Sequence, residues 1–326
     1  MRTEPLSVAM VGDCAYVGET LIKYAPPWIK YTHKRRTRGL YSKTLGILFK
    51  ILFTKAEIFH VHYGLQDHYL VKMLKRQPTV CQFHGSDLRY TLNTRLGWIV
   101  KKNLKTADRI LVSVPDIIKV AKYFREDAEY LPNPVNLHLF KPAPLPQTDR
   151  FRVLLASSLS TMRGADIFLK GFAKFQRNHP NCAVEVIDYG NERWQLLSLL
   201  KSLNVKCRVH PRRPHEEMAS LYHHVDVVAT DFRLPYLHMT SLEAMACHRP
   251  VLQSIDNSLY GRNGVPPPPP VVSVEGEEGV VEGLTLLVDP PVRERVAEAQ
   301  EKYIHAYHNP SQIIEKVACI YTQLLK

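Results

Sequence analysis

Short apolar runs recur along the chain. Between them lie stretches whose apolar positions return with helical spacing. In the first half the runs predict strands at 7–11, 58–62, 79–83, 109–112 and 129–131, with helices near 16–24, 43–53, 69–75, 96–104 and 115–124. In the second half strands are expected at 152–156, 183–188, 205–210, 226–229, 251–253 and 271–272. Helices are expected there over 164–178, 193–203, 215–223, 241–247, 276–288 and 291–306. Strands alternating with helices predict parallel α/β sheets.

One segment breaks the rhythm. Asn133-Pro-Val-Asn-Leu-His-Leu-Phe-Lys-Pro-Ala-Pro-Leu-Pro is proline-rich and aperiodic, so it reads as an extended linker before a fresh βα start at Phe151. The boundary is placed within 141–150, giving domains 1–145 and 146–308. Asn309-Pro-Ser opens a last amphipathic helix, and 309–326 is expected to pack back on the first domain. The proline run 266–270 predicts a polyproline II surface loop.

Composition narrows the class. A chain of 326 residues is too long for one ordinary core and fits two domains. With 45% hydrophobic and 23% charged residues it reads as globular. No apolar run is long enough for a membrane span, and Met-Arg-Thr-Glu-Pro lacks the apolar core of a signal peptide. Six scattered cysteines without a Cys-x-x-Cys pair suggest reduced thiols and a cytoplasmic setting, peripheral at the inner face of the cell membrane if the basic half meets lipid. Residues 1–150 hold 24 Lys+Arg against 12 Asp+Glu, and 151–326 hold 19 of each. The whole net charge of +12 therefore sits in the first half, which makes an anionic membrane surface or another polyanion a partner to test.

The richest chemistry runs from Asp226 to Leu252. An apolar strand leads into a loop, then Thr240/Ser241 as the expected N-cap, then a compact helix with Glu243 in its first turn and Pro250 as its stop. Free N–H groups at a helix start favour phosphate, and a carboxylate just inside can accept bonds from sugar hydroxyls. A nucleotide diphosphate-sugar pocket follows.

Glu243-Ala-Met-Ala with Pro250-Val251 also resembles the signature of the group-1 (family 4) retaining glycosyltransferases. That signature carries two glutamates separated by seven residues, and here the first is Pro235. Its usual glycines are replaced at His238 and His248. Further motifs in family order are Ala107-Asp-Arg-Ile-Leu-Val-Ser-Val, Tyr130-Leu-Pro-Asn-Pro-Val-Asn, Leu154-Leu-Ala-Ser-Ser-Leu-Ser-Thr-Met-Arg-Gly and Glu216-Glu-Met-Ala-Ser-Leu-Tyr. His60-Val-His-Tyr-Gly and His84-Gly-Ser-Asp-Leu-Arg look most like archaeal members.

The resemblance implies a GT-B fold, α/β, with two Rossmann-like domains facing each other across a cleft: acceptor domain first, donor domain second. It implies hexosyl transfer from a UDP-, GDP- or ADP-sugar to a glycan or lipid-linked acceptor, with retention of configuration and no cofactor. It sets Arg163 against the donor diphosphate, while the second cation of the family is lost at Ser158. Glu243 would hold the ribose, and His238, Met239, Thr240 and Ser241 would offer N–H groups to the phosphates. His84 would lie near the transferred sugar. Gly85 and Gly12 permit close backbone approach on the acceptor side. Asp87 stands beside them, either ligand-facing or paired with Arg89.

His60 and His62 are read as facing opposite sides of their strand. With no Asp-x-Asp in the chain, no metal site is expected. Lys34, Arg35, Arg36, Arg38, Lys43, Lys50 and Lys55 flank an apolar stretch from Leu45 to Phe53, a pattern suited to anionic lipid. Two rivals stand beside the enzyme. One is a degenerate member that binds a sugar nucleotide or glycan without turnover, suggested by Pro235 and Ser158. The other is a nucleic-acid binder, disfavoured by the lack of any aromatic–basic motif or zinc finger.

Overall fold

The computed structural model describes residues 4–36, 46–147 and 149–326. Arg38, Lys43 and Leu45 of the basic segment lie outside these described residues. The chain divides into two compact units. One comprises Met1–Pro134, Leu259–Pro267 and His308–Lys326, and the other Val135–Ser258 and Pro268–Tyr307.

The first unit alternates β1 (Leu6–Val11), α1 (Val17–Lys23), β2 (Ile29–Lys34), α2 (Ile47–Leu52), β3 (Ile58–His62), α3 (Gln66–Met73), β4 (Thr79–Phe83), the one-turn α4 (Ser86–Arg89), α5 (Gly97–Thr106), β5 (Arg109–Val112), α6 (Ile118–Phe124) and β6 (Glu129–Tyr130). Its sheet is parallel, in the order β2-β1-β3-β4-β5-β6. β3 and β4 are buried at every residue, as central strands of a covered parallel sheet should be. Ile47 and Ile51 of α2 pack with Val11, Phe59 and Val61 on one face of the sheet.

The second unit runs β7 (Phe151–Leu155), α7 (Ala165–Asn178), β8 (Cys182–Ile187), α8 (Arg193–Ser202), β9 (Cys207–His210), α9 (Met218–His223), β10 (Val227–Ala229), α10 (Met239–Ala246), β11 (Val251–Gln253), β12 (Val272–Ser273), α11 (Gly276–Leu287) and α12 (Pro290–Tyr307). Its order is β12-β11-β10-β7-β8-β9, again parallel. One face is dense with Phe168, Phe172 and Phe175 of α7 against Val153, Leu155 and Val184. A Cβ on Gly171 would stand 2.7 Å from the Glu277 carbonyl oxygen, so only glycine lets α7 and α11 approach this closely. The proline-rich stretch is stitched to this unit by the fully buried Arg249, which donates to the carbonyls of Ala143, Pro144, Tyr222 and His223.

The last helix, α13 (Pro310–Leu324), belongs to the first unit. Tyr321 is fully buried there, and its hydroxyl lies 2.6 Å from His60 Nδ1 on β3. In each sheet the strand order reverses once, between β1 and β3 and between β7 and β10. Loops leaving the carboxyl ends of strands at such a reversal form the natural ligand crevice of an open α/β sheet.

Candidate functional site

The crevice of the second unit is built by the loops after β7 and β10. Beyond β7, Ser158 is half-buried, and the Ser160 side chain accepts from the Met162 N–H, starting a single 3-10 turn, Thr161–Arg163. Gly164 ends that turn at φ 74°, with its α-carbon against Phe232, where a side chain would clash. Glu192 clamps the loop by accepting from the N–H and hydroxyl of Thr161. Arg233, in the loop after β10, donates to the Thr161 carbonyl and, at 2.7 and 3.0 Å, to Asp166 in the first turn of α7.

Arg163 is thereby fixed. Its Nη1 donates to both oxygens of Asp231, at 2.9 and 3.0 Å, and that carboxylate is almost wholly buried just past β10. One side chain further, His238 Nε2 stands 3.5 Å from Asp231 Oδ2. His238 is also the N-cap of α10. This corrects the expected helix start: α10 begins at Met239 rather than after Thr240/Ser241, and no side chain caps it. Met239, Thr240 and Ser241 form its first turn, whose N–H groups have no partner within the helix. The Ser241 hydroxyl is committed inward, to Gln253 Oε1 at 2.5 Å and Thr230 Oγ1 at 3.0 Å.

Glu243 consequently falls in the second turn, not the first. It is 5% exposed, and its carboxylate is already engaged. His215 Nε2 lies 2.7 Å from Oε1, and the Tyr222 hydroxyl donates to Oε2 at 3.2 Å. Sequence reasoning missed Asp231, His215 and Tyr222. Only Asp231 left a signal, as an acid directly beyond a buried apolar strand.

The crevice of the first unit opens after β1 and β3 as a cavity of about 550 Å³. Gly12 turns the chain at φ 75°, and Asp13 then accepts from the Gly18 and Glu19 N–H groups at 2.9 and 3.1 Å, anchoring α1. Between them Ala15 and Tyr16 take left-handed conformations at φ 48° and 65°. Non-glycine residues held in this way cost on the order of 1–3 kcal/mol each, and such strain concentrates where loops are shaped for ligands. Tyr16, His62, Tyr63 and Ser86 complete the wall with the charged pair Arg36–Asp67.

His84 follows β4, with Nε2 2.8 Å from His62 Nδ1 and the two rings stacked at 5.0 Å. His62 in turn stacks on His60 at 5.2 Å. The expectation that His60 and His62 face opposite sides is therefore wrong: residues two apart in a strand share a face. Burial holds these imidazoles neutral, with His84 lowered to about 3 and His60 to about 4. Among the described residues no group of three His, Cys, Asp or Glu is arranged to hold a metal.

Asp87 is buried and accepts from the N–H groups of Gly64, Gly85 and Leu88, so it shapes the loop in which Gly85 turns at φ 116°. It does not pair with Arg89 as one reading had it. Arg89 donates to Asp116 at 2.7 Å. The basic segment is also less free than its sequence implies. Arg35 is paired with Glu19, Arg36 with Asp67, and Lys50 Nζ donates to the Arg35 carbonyl. No described helix is long and apolar enough to cross a membrane.

With this geometry in view, comparison with known proteins is informative. Residues 139–259 match the family model of Glycosyl transferases group 1, a span that holds Ser158, Arg163, Asp231, His238 and Glu243. A curated D-inositol 3-phosphate glycosyltransferase 1 from Catenulispora acidiphila is 24% identical over 215 residues. That alignment covers 59% of this chain, which spans about half the length of that relative (50%). Among solved structures, a sucrose-phosphate synthase from Thermosynechococcus elongatus superposes with a TM-score of 0.72 at 17% identity, covering 98% of this chain and 99% of that one. HepE from Anabaena, solved with UDP and glucose, gives 0.71 at 15% identity over 98% and 100%. TarM from S. aureus gives 0.63 at 11% identity over 84% of this chain and 58% of that one. Residues 139–259 thus match the group 1 glycosyltransferase family model, within a chain whose two parallel six-stranded sheets share the fold of GT-B glycosyltransferases.

Proposed function

We propose that the protein moves a hexosyl group from a nucleotide diphosphate-sugar, bound on the second unit, to a glycan or lipid-linked acceptor, with retention of configuration and without a metal. One observation carries this reading. Arg163 is held by Asp231, whose Oδ2 lies 3.5 Å from Nε2 of His238, the residue at the open N-terminus of α10, the helix that carries Glu243. Nη1 of Arg163 is held by Asp231, while among the described residues its Nε and Nη2 make no hydrogen bond and are available to phosphate oxygens. A guanidinium edge and a helix start offer paired donors to a departing diphosphate, and such preorganised donors are worth most as charge develops on the leaving group.

A second reading draws on a specific observation too. Glu243 is already engaged by His215 and Tyr222, and Pro235 stands where the family signature has its first glutamate. A sugar-nucleotide binder without turnover fits those two facts.

The test is titration calorimetry against UDP-, GDP- and ADP-sugars, followed by product analysis of the anomeric centre. Arg163→Ala and Glu243→Ala should each weaken donor binding or turnover about tenfold or more, since a hydrogen bond to a charged group is worth about 1.5–3 kcal/mol. Turnover should survive EDTA. Unchanged affinity in both variants would discard the site. Binding without turnover would favour the second reading, and activity restored only by manganese or magnesium would reject the metal-free mechanism.

A further inference from the structure

The positive charge of the first unit is unevenly satisfied. Arg35, Arg36 and Lys72 are paired with Glu19, Asp67 and Asp108. By contrast Lys101, Lys102 and Lys105 are exposed, and none of them forms an ion pair among the described residues. All three lie on α5, Gly-Trp-Ile-Val-Lys-Lys-Asn-Leu-Lys-Thr, which contains no acidic residue.

The register of α5 sorts its residues cleanly. Gly97, Val100, Asn103 and Leu104 are buried. Trp98, Lys101, Lys102 and Lys105 recur at helical spacing along one ridge and face out together. Trp98 is 53% exposed, and Leu96, just before the helix, is 54% exposed beside the exposed Arg95. Trp98 is held upright rather than left loose. The Tyr69 ring of α3 meets it edge-on at 5.4 Å, and Lys102 Nζ sits 5.4 Å from the same tyrosine ring.

A soluble partner of mixed charge would leave some of the three lysines without counter-charges. A flat anionic surface with an apolar interior satisfies both halves of the ridge. Cationic heads meet phosphate groups, while Trp98 and Leu96 enter the headgroup–acyl boundary, where amphipathic indole rings partition well. We propose that the α5 ridge, Leu96, Trp98, Lys101, Lys102 and Lys105, docks the protein on anionic phospholipid bilayers. The contact is made by α5 and not by the Lys34–Lys55 segment that the sequence singles out. It does not depend on which sugar the chain transfers.

Fluorescence gives the direct test. In a Trp28→Phe/Trp194→Phe background, Trp98 is the remaining tryptophan. Its emission should shift to the blue, and be quenched by brominated acyl chains, when vesicles of phosphatidylcholine with phosphatidylglycerol are added at low salt. Vesicles of phosphatidylcholine alone should do neither. In sedimentation with the mixed vesicles, Lys101→Ser/Lys102→Ser/Lys105→Ser should weaken binding about tenfold or more, because each surface cation contributes independently. Leu96→Ser/Trp98→Ser should weaken it as well, and Lys50→Ser/Lys55→Ser should not. Sedimentation that is unaltered in the Leu96/Trp98 variant, or emission that does not move, would overturn the proposal. So would capture of short duplex DNA in place of vesicles with the same dependence on the three lysines. Circular dichroism of each variant separates lost docking from lost folding, and the quenching measurement requires no change on α5.

Discussion

At the residue scale, the candidate donor site depends on charges that meet across long sequence separations. Asp231 lies 68 positions from the arginine it holds, and Glu243 lies 28 from His215 and 21 from Tyr222. Because Asp231 fixes Nη1 and leaves the rest of Arg163 outward, Asp231→Asn should weaken UDP binding about tenfold yet leave uridine unaffected, as loss of one charged hydrogen bond implies. Calorimetry with the two ligands checks this. Equal losses would point to a general collapse of the pocket rather than a misplaced guanidinium. Arg163 and Glu243 were singled out as candidates in the sequence because a short local motif frames each. Asp231, His215 and Tyr222 were not, since only the packed sheet brings them near. The histidine pair on β3 was misread by an error of parity that strand geometry alone should have prevented.

At the element scale, the central strands were read almost residue for residue, because burial on both faces keeps them mostly apolar, His60, His62, Thr79 and Gln82 being the exceptions in β3 and β4. β2 was missed for the opposite reason. It is an edge strand, Ile-Lys-Tyr-Thr-His-Lys, mostly half-buried, and its polarity hides it. α4 was missed because one turn is too short to show a period. The stacked imidazoles of β3 and the β4 loop carry a pH signature. Their folded pKa values, about 4 for His60 and about 3 for His84, lie below the ordinary 6.5. The unfolded chain therefore binds protons that the folded one refuses. Stability should be full above about pH 6.5 and fall as the pH drops toward 4. Denaturation by urea at pH 7 and pH 5 measures it, and identical midpoints would show that these rings are not neutral when folded.

At the scale of the whole molecule, the two-sheet class was legible from rhythm alone. The return of residues 259–267 to the first unit was not, since nothing in a proline-rich loop announces which unit it joins. The placement of Tyr321 has a further consequence, which concerns the order of assembly. Synthesis delivers residues 135–258 and 268–307 before α13, so the later unit is complete in sequence while the earlier one still lacks Tyr321. Multidomain chains commonly finish their amino-terminal unit first. Here the unfinished first unit must keep the buried His60 imidazole without its hydroxyl partner until α13 emerges. A chain halted after residue 307 should accordingly be cut by protease within residues 1–134 and 259–267 while residues 135–258 and 268–307 resist. Uniform resistance would mean that the nascent first unit closes without α13. Restoring α13 as a separate peptide should then protect the first unit from the outside, turning a step of chain folding into a binding reaction that can be titrated.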